Sequence, residues 1–209
     1  MVAALALLQQ LVVPPLAEQR LRHRLERIGS VERVDIAAVP ALELAFGHAD
    51  RVTVRMRSAT TGPARLADLL ASTRATASLD ASAATVRVGP LTFRDASLRK
   101  RGGELEGRAS VRAHDLSAAL PPGLTVAPVA SGGGELVFAG TATFLGRTVS
   151  ARALAVARGG RLVVMPDVPF GGLLTLTVFS DPRVYVQDIA ARPEPDGFGL
   201  SARARLPER

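Results

Sequence analysis

From Ser30 to the C-terminus the apolar residues of this chain tend to recur at every second position, and that period limits what it can fold into. In "DRVTVRMR", Val52, Val54 and Met56 alternate with Arg51, Thr53, Arg55 and Arg57. Successive side chains of a strand point to opposite faces, so such a segment has one apolar face and one charged face. The pattern returns at Val34 and Ile36, in "ATVRV" from Ala84 to Val88, and in "ELEGRASVRA". In the closing strand Phe198, Leu200, Ala202, Ala204 and Leu206 share a face, opposite Ser201, Arg203 and Arg205. Gly102 and Gly103 read as the turn of a hairpin. A three-strand meander is expected between Ser131 and Pro166, with turns at Gly146 and at Gly159–Gly160. Within it Leu162, Val163 and Val164 are all apolar, as in a strand covered on both faces or lining something apolar. Two more strands, "LLTLTVF" and "RVYVQDI", flank an Asp181–Pro182 turn.

Helical periodicity is confined to three places. Leu21, Leu25 and Ile28 fall at i, i+4 and i+7, with Arg20, Arg22, Arg24, Glu26 and Arg27 off that stripe. Such a helix packs on a sheet or lies on a membrane surface. Gly29 is its expected stop. "GPARLADLLAS" has Pro63 in its first turn and Leu66, Leu69 and Leu70 on one side. "HDLSAALPPG" offers Asp115 as N-cap and Pro121–Pro122 as terminator. The expected fold is therefore α+β, an N-terminal amphipathic helix packed on a large curled antiparallel β-sheet. About ten strands expose more apolar face than one helix covers, so the sheet curls or splits into two layers. A curled sheet with an incompletely filled interior suits an apolar ligand.

The first residues differ from the rest. Val2 to Val13 is apolar except for Gln9 and Gln10, too short to span a bilayer, which takes about 20 apolar residues. It looks like the core of an export signal without its basic start; an ordinary buried helix is the alternative. The expected organisation is a hydrophobic segment over 1–15, a truncated signal or anchor, and a single domain over 16–209. "SGGGE", Ser131 to Glu135, is the best candidate boundary within that domain, but a strand follows it at once.

The chain carries 26 basic and 19 acidic residues, a formal charge of +7, and Lys100 is its single lysine. This surplus attracts anions, whether phospholipid headgroups or nucleic acid phosphates. A GC-rich genome also favours arginine over lysine. Nucleic acid is the weaker partner, because aromatics are 4% of the chain and Trp is absent, leaving little for bases to stack on. There is no cysteine, which removes disulfides, thiolate catalysis and thiolate metal sites. His23, His48 and His114 show no metal-ligand spacing, and no nucleophile elbow or phosphate loop is present. No catalytic residue, metal site or cofactor is expected.

Taken in order, several segments resemble the actinobacterial LmeA-like phospholipid-binding family. They are the charged helix "LAEQRLRHRLERIG", the block "VPALELAFGHADRVTVRMR", the Leu-rich helix "ARLADLLAS", the block "GRLVVMPD" and the closing "GFGLSARARL". Ala41 stands where the family has an aromatic. The resemblance implies an exported or membrane-anchored protein of the cell envelope, on its periplasmic side. It would bind anionic phospholipid, serve maturation of envelope glycolipids of the lipomannan type and carry no catalytic residues. It also implies likeness to tubular lipid-binding domains.

On this reading Val52, Val54, Met56, Val111, Phe138, Phe144, Leu162, Val164 and Phe198 line the acyl chains. Arg51, Arg55 and Arg57 meet the headgroup. The partner is an anionic phospholipid or a membrane surface, not nucleic acid, and no protein partner is indicated. The alternative is a structural or interaction protein of the envelope, with a fully packed core and no lipid ligand.

Overall fold

The computed structural model describes residues 18–37, 49–118, 124–132, 135–144, 147–167 and 175–207. The hydrophobic segment at 1–15, the apolar block from Val39 to His48, Pro121–Pro122 and Gly146 lie outside the described residues. Helix α1 covers residues 18–26. Strands β1 (Gly29–Ala37) and β2 (Ala49–Thr61) follow, then helix α2 (Pro63–Ser72) with a 3-10 turn at Thr73–Ala75. Next come β3 (Thr76–Val88), β4 (Leu91–Arg101), β5 (Glu104–Arg112) and a short helix α3 (Ala113–Ala118). The chain continues through β6 (Leu124–Gly132), β7 (Glu135–Phe144), β8 (Arg147–Arg158), β9 (Arg161–Pro166) and β10 (Leu176–Phe179). It ends with β11 (Tyr185–Glu194) and β12 (Gly197–Arg205).

The alternating segments are strands, and they divide between two sheets. The first is open, with order β1-β2-β3-β4-β5-β12-β11; the second has order β10-β9-β8-β7-β6. The fold is α+β as expected, with the apolar surface shared between two sheets. One pairing departs from an all-antiparallel reading: β2 runs parallel to β3, Val52 opposite Leu79 and Val54 opposite Ala81. Its cause is local. Parallel neighbours need a crossover that carries the chain back to the starting end, and α2 with its 3-10 turn supplies it. Pro63 opens that helix, where its fixed φ and missing N–H cost nothing.

Turns follow the glycines. Gly102 takes φ +56° between β4 and β5, and Gly159 and Gly160 take φ +57° and +77° between β8 and β9. A two-residue hairpin loop needs this left-handed backbone, which glycine adopts without steric cost. Helix α3 begins at Ala113 rather than after Asp115. Pairing of β5 with β12 ends at Arg112–Gly197, and the Ala113 N–H then donates to Asp196 O at 3.2 Å. Asp115 thus sits in the first helical turn instead of capping it.

Among the described residues three apolar clusters form the core. Val52, Val54, Met56 and Leu79 make the first, against which Leu21 and Leu25 of α1 and Ile28 just after it pack. Leu105, Val184 and Leu206 make the second, joined by Leu70 of α2 and by Leu98. Leu136, Ala155 and Ala191 make the third, with Phe138, Val164, Ile189 and Leu200 around it. This last cluster takes residues from both sheets and holds them face to face. In β9, Val163 is buried while its neighbour Val164 packs on the inter-sheet cluster. Both faces of that strand are covered, which accounts for its unbroken apolar run.

Candidate lipid-binding surface

The apolar face of β2 is contiguous. Val52, Val54 and Met56 are buried, and each stands beside a small or apolar residue of β3 in register. Over them lies the stripe of Leu21 and Leu25 on α1 and Ile28 in the turn after it, itself half-buried. The Ile36 N–H at the sheet edge donates to Glu18 Oε1 at 3.1 Å, which ties the start of α1 to β1. Among the described residues, one half-buried helical stripe therefore separates this face from the surroundings.

The other expected lining residues lie elsewhere. Val111 is buried and Phe198 stands opposite it across β5 and β12. Phe138 and Val164 belong to the inter-sheet cluster, and half-buried Leu162 pairs with Ala157 at the far end of β8 and β9. The side chain of Phe144 lies outside the described residues. Thus Val52, Val54 and Met56 are brought together, while the remaining residues are distributed over other parts of the core.

Arg51, Arg55 and Arg57 are exposed on the opposite face of β2. Arg57 Nε donates to Glu32 Oε1 at 3.3 Å; Arg51 and Arg55 have no partner among the described residues. Farther along the sheet the same face is ion-paired. Arg101 donates to both oxygens of Asp80 at 3.0 and 3.2 Å, and Arg203 donates to Asp188 at 2.7 Å. That bond raises the Arg203 pKa, with the Asp188 charge adding to it. Positive charge is therefore uncompensated at Arg51 and Arg55. Alternation also puts a strand's thickness between these arginines and the valines.

A cleft of about 580 Å³ opens on the apolar side, lined by Asp68, Ala71, Ser72, Arg74, Ala75 and Arg183. Leu70, on the same helix, packs on the cluster of Leu105, Val184 and Leu206, which places α2 over that face of the sheet. Arg183 donates to Asp181 from Nε at 2.9 Å and from Nη2 at 2.8 Å, and to Asp68 at 2.7 Å. The Arg183 N–H adds a third bond to Asp181 at 2.8 Å. These hydrogen bonds pull the Asp181 pKa down to about 2 and raise that of Arg183. Arg74 Nη2 donates to Arg183 O at 3.1 Å, while its Nε is buried without a hydrogen bond. Directly after Ala75, the Thr76 carbonyl accepts from Lys100 Nζ. Lys100 is 2% exposed, between Leu79 and Leu105 in register, and burial lowers its pKa.

The profile of the LmeA-like phospholipid-binding family matches residues 8–203. The chain belongs to this family. No curated protein and no solved structure matches it. In this LmeA-like chain no three His, Asp or Glu side chains among the described residues are grouped to hold a metal ion. No helix among the described residues is long and apolar enough to cross a membrane. The cleft residues escaped the sequence reading because Arg74 and Arg183 are 109 positions apart and Asp68 and Arg183 are 115 apart. The one local signal was Lys100, the single lysine, which follows Ala96 and Leu98 at alternate positions.

Proposed function

We propose that this LmeA-like protein is a non-catalytic phospholipid carrier or receptor of the cell envelope. Acyl chains lie on the apolar face of the first sheet, beginning at Val52, Val54 and Met56. The observation that supports this most is the cover of that face: among the described residues it is one amphipathic helix, half-buried, held at its start by the Glu18–Ile36 bond. A helix that buries only a narrow stripe yields to a ligand with a larger apolar surface, since stabilisation scales with area removed from water. Phe138 and Val164 extend the lining where the sheets meet, and Val111, Phe198 and Leu162 add apolar surface in other parts of the core.

Arg51 and Arg55, joined by Arg57, supply positive charge on the outer face and draw the protein to anionic headgroups. The preferred lipid is anionic, and the setting is maturation of envelope glycolipids of the lipomannan type, reached by export or anchoring through the N-terminal segment. Mass spectrometry of the natively purified protein is expected to release bound phospholipid, and vesicle pull-down to retain the protein on anionic membranes. Protein free of lipid in both measurements would instead support a structural protein with a fully packed core.

A further inference from the structure

The cations nearest the apolar face are not those of β2. Three of them, Arg74, Lys100 and Arg183, gather around the 3-10 turn and the start of β3, against two carboxylates, Asp68 and Asp181. Two of the three have donors to spare. Arg74 Nε is buried without a hydrogen bond, and the Lys100 ammonium makes one bond for its three N–H groups among the described residues. Buried donors left without acceptors are costly, more so when charged.

The two carboxylates are held differently. Asp181 accepts three bonds from Arg183 and is 14% exposed at its side chain. Asp68 is 65% exposed and is linked to Arg183 by Nη2 at 2.7 Å. An exposed ion pair of this kind contributes little. A phosphate offers the guanidinium more acceptor oxygens in a matching geometry and competes with Asp68 for it. The cleft, about 580 Å³, is within the usual range for a small-molecule site.

We propose that this cleft binds an anionic phosphate group, the phosphodiester of a lipid headgroup or a free phosphate. Arg74 and Arg183 are the donors, Lys100 adds positive charge from beneath, and Asp68 swings aside as the ligand enters. The lipid source rests on the phospholipid reading above; the anion site does not. The cleft lies on the side of the sheet that carries Val52, Val54 and Met56, so a headgroup held there leaves its chains on the apolar side.

Binding of the full chain is measured to vesicles of phosphatidylcholine with and without phosphatidylglycerol, and separately to soluble glycerophosphate. Arg74→Gln is expected to weaken both about tenfold, the loss of a charge-assisted hydrogen bond. Asp68→Asn is expected to tighten both by roughly two- to fivefold, because the competing carboxylate is gone. Melting temperatures show whether each variant is folded. If Arg74→Gln is not, Arg74→Lys keeps the charge and the Asp68→Asn result decides. Vesicle binding that neither substitution alters overturns the cleft while leaving the phospholipid reading intact. Glycerophosphate binding in the expected order, without vesicle binding, supports the anion site for free phosphate and overturns the lipid reading. Binding of neither ligand overturns the cleft proposal.

Discussion

The ring of Tyr185 lies against Gly160 so closely that a β-carbon there would stand 2.8 Å from Tyr185 Cε2 and nearer still to Cδ2. The same contact point carries a backbone bond, the Val186 N–H donating to Gly160 O at 3.0 Å. It seats the β8–β9 hairpin of one sheet on the start of β11 in the other.

Gly160→Ala should therefore loosen this junction. Its φ of +77° disfavours any β-carbon, and the ring has to move. The expected loss is about 2 kcal/mol. Tyr185 is the single tyrosine and Trp is absent, so tyrosine fluorescence during urea unfolding reports on this site directly.

Acid should act through Asp181. Arg183 holds its pKa at about 2 against an ordinary 3.8, so the folded chain keeps this carboxylate charged where the unfolded chain protonates it. Its contribution is complete above 3.8 and is lost as pH falls towards about 2. Asp181→Asn is expected to flatten the stability-versus-pH curve across that window, as read by urea midpoints.

Lys100 should act in the same direction at the alkaline end of the scale. Burial lowers its pKa below 10.5, so the unfolded chain binds this proton more tightly. Stability contributed by this group rises as pH approaches 10.5 from below. Lys100→Met is expected to remove that rise and to gain about 1 kcal/mol near neutral pH by replacing a buried, under-bonded charge. Loss of glycerophosphate affinity in the same variant would mark a residue kept at a cost in stability.

Met56→Ala should cost about 2–4 kcal/mol, since Met56 is buried in the cluster beneath α1. Leu21→Ala, in the half-buried stripe above it, should cost about 1 kcal/mol. Denaturant unfolding compares the two. Equal costs would mean that α1 seals the face as tightly as a core helix, against its role as a displaceable cover.

Much of the architecture was legible in the residues. The alternation around Val54 put its side chain in the core and Arg55 in solvent, and the structure has both there. The Gly102–Gly103 and Gly159–Gly160 turns, the Pro63 helix start and the Leu21–Leu25–Ile28 stripe follow from steric rules that act over a few neighbouring residues. Asp115 was misplaced as a cap because the start of α3 depends on where β5 loses its partner β12, a contact made across the chain.

The sequence by itself determined which face of each strand is apolar, because a period of two fixes side-chain direction within the strand. Tertiary structure alone decided that β12 inserts between β5 and β11 and that β2 lies parallel to β3. It also decided that Lys100, Arg74, Asp68 and Arg183 share one corner. Many strands have interchangeable apolar faces and equivalent backbone hydrogen bonds, so pairing carries no local signature. It is settled when the crossover through α2 and the packing of two sheets on one core exclude the other arrangements.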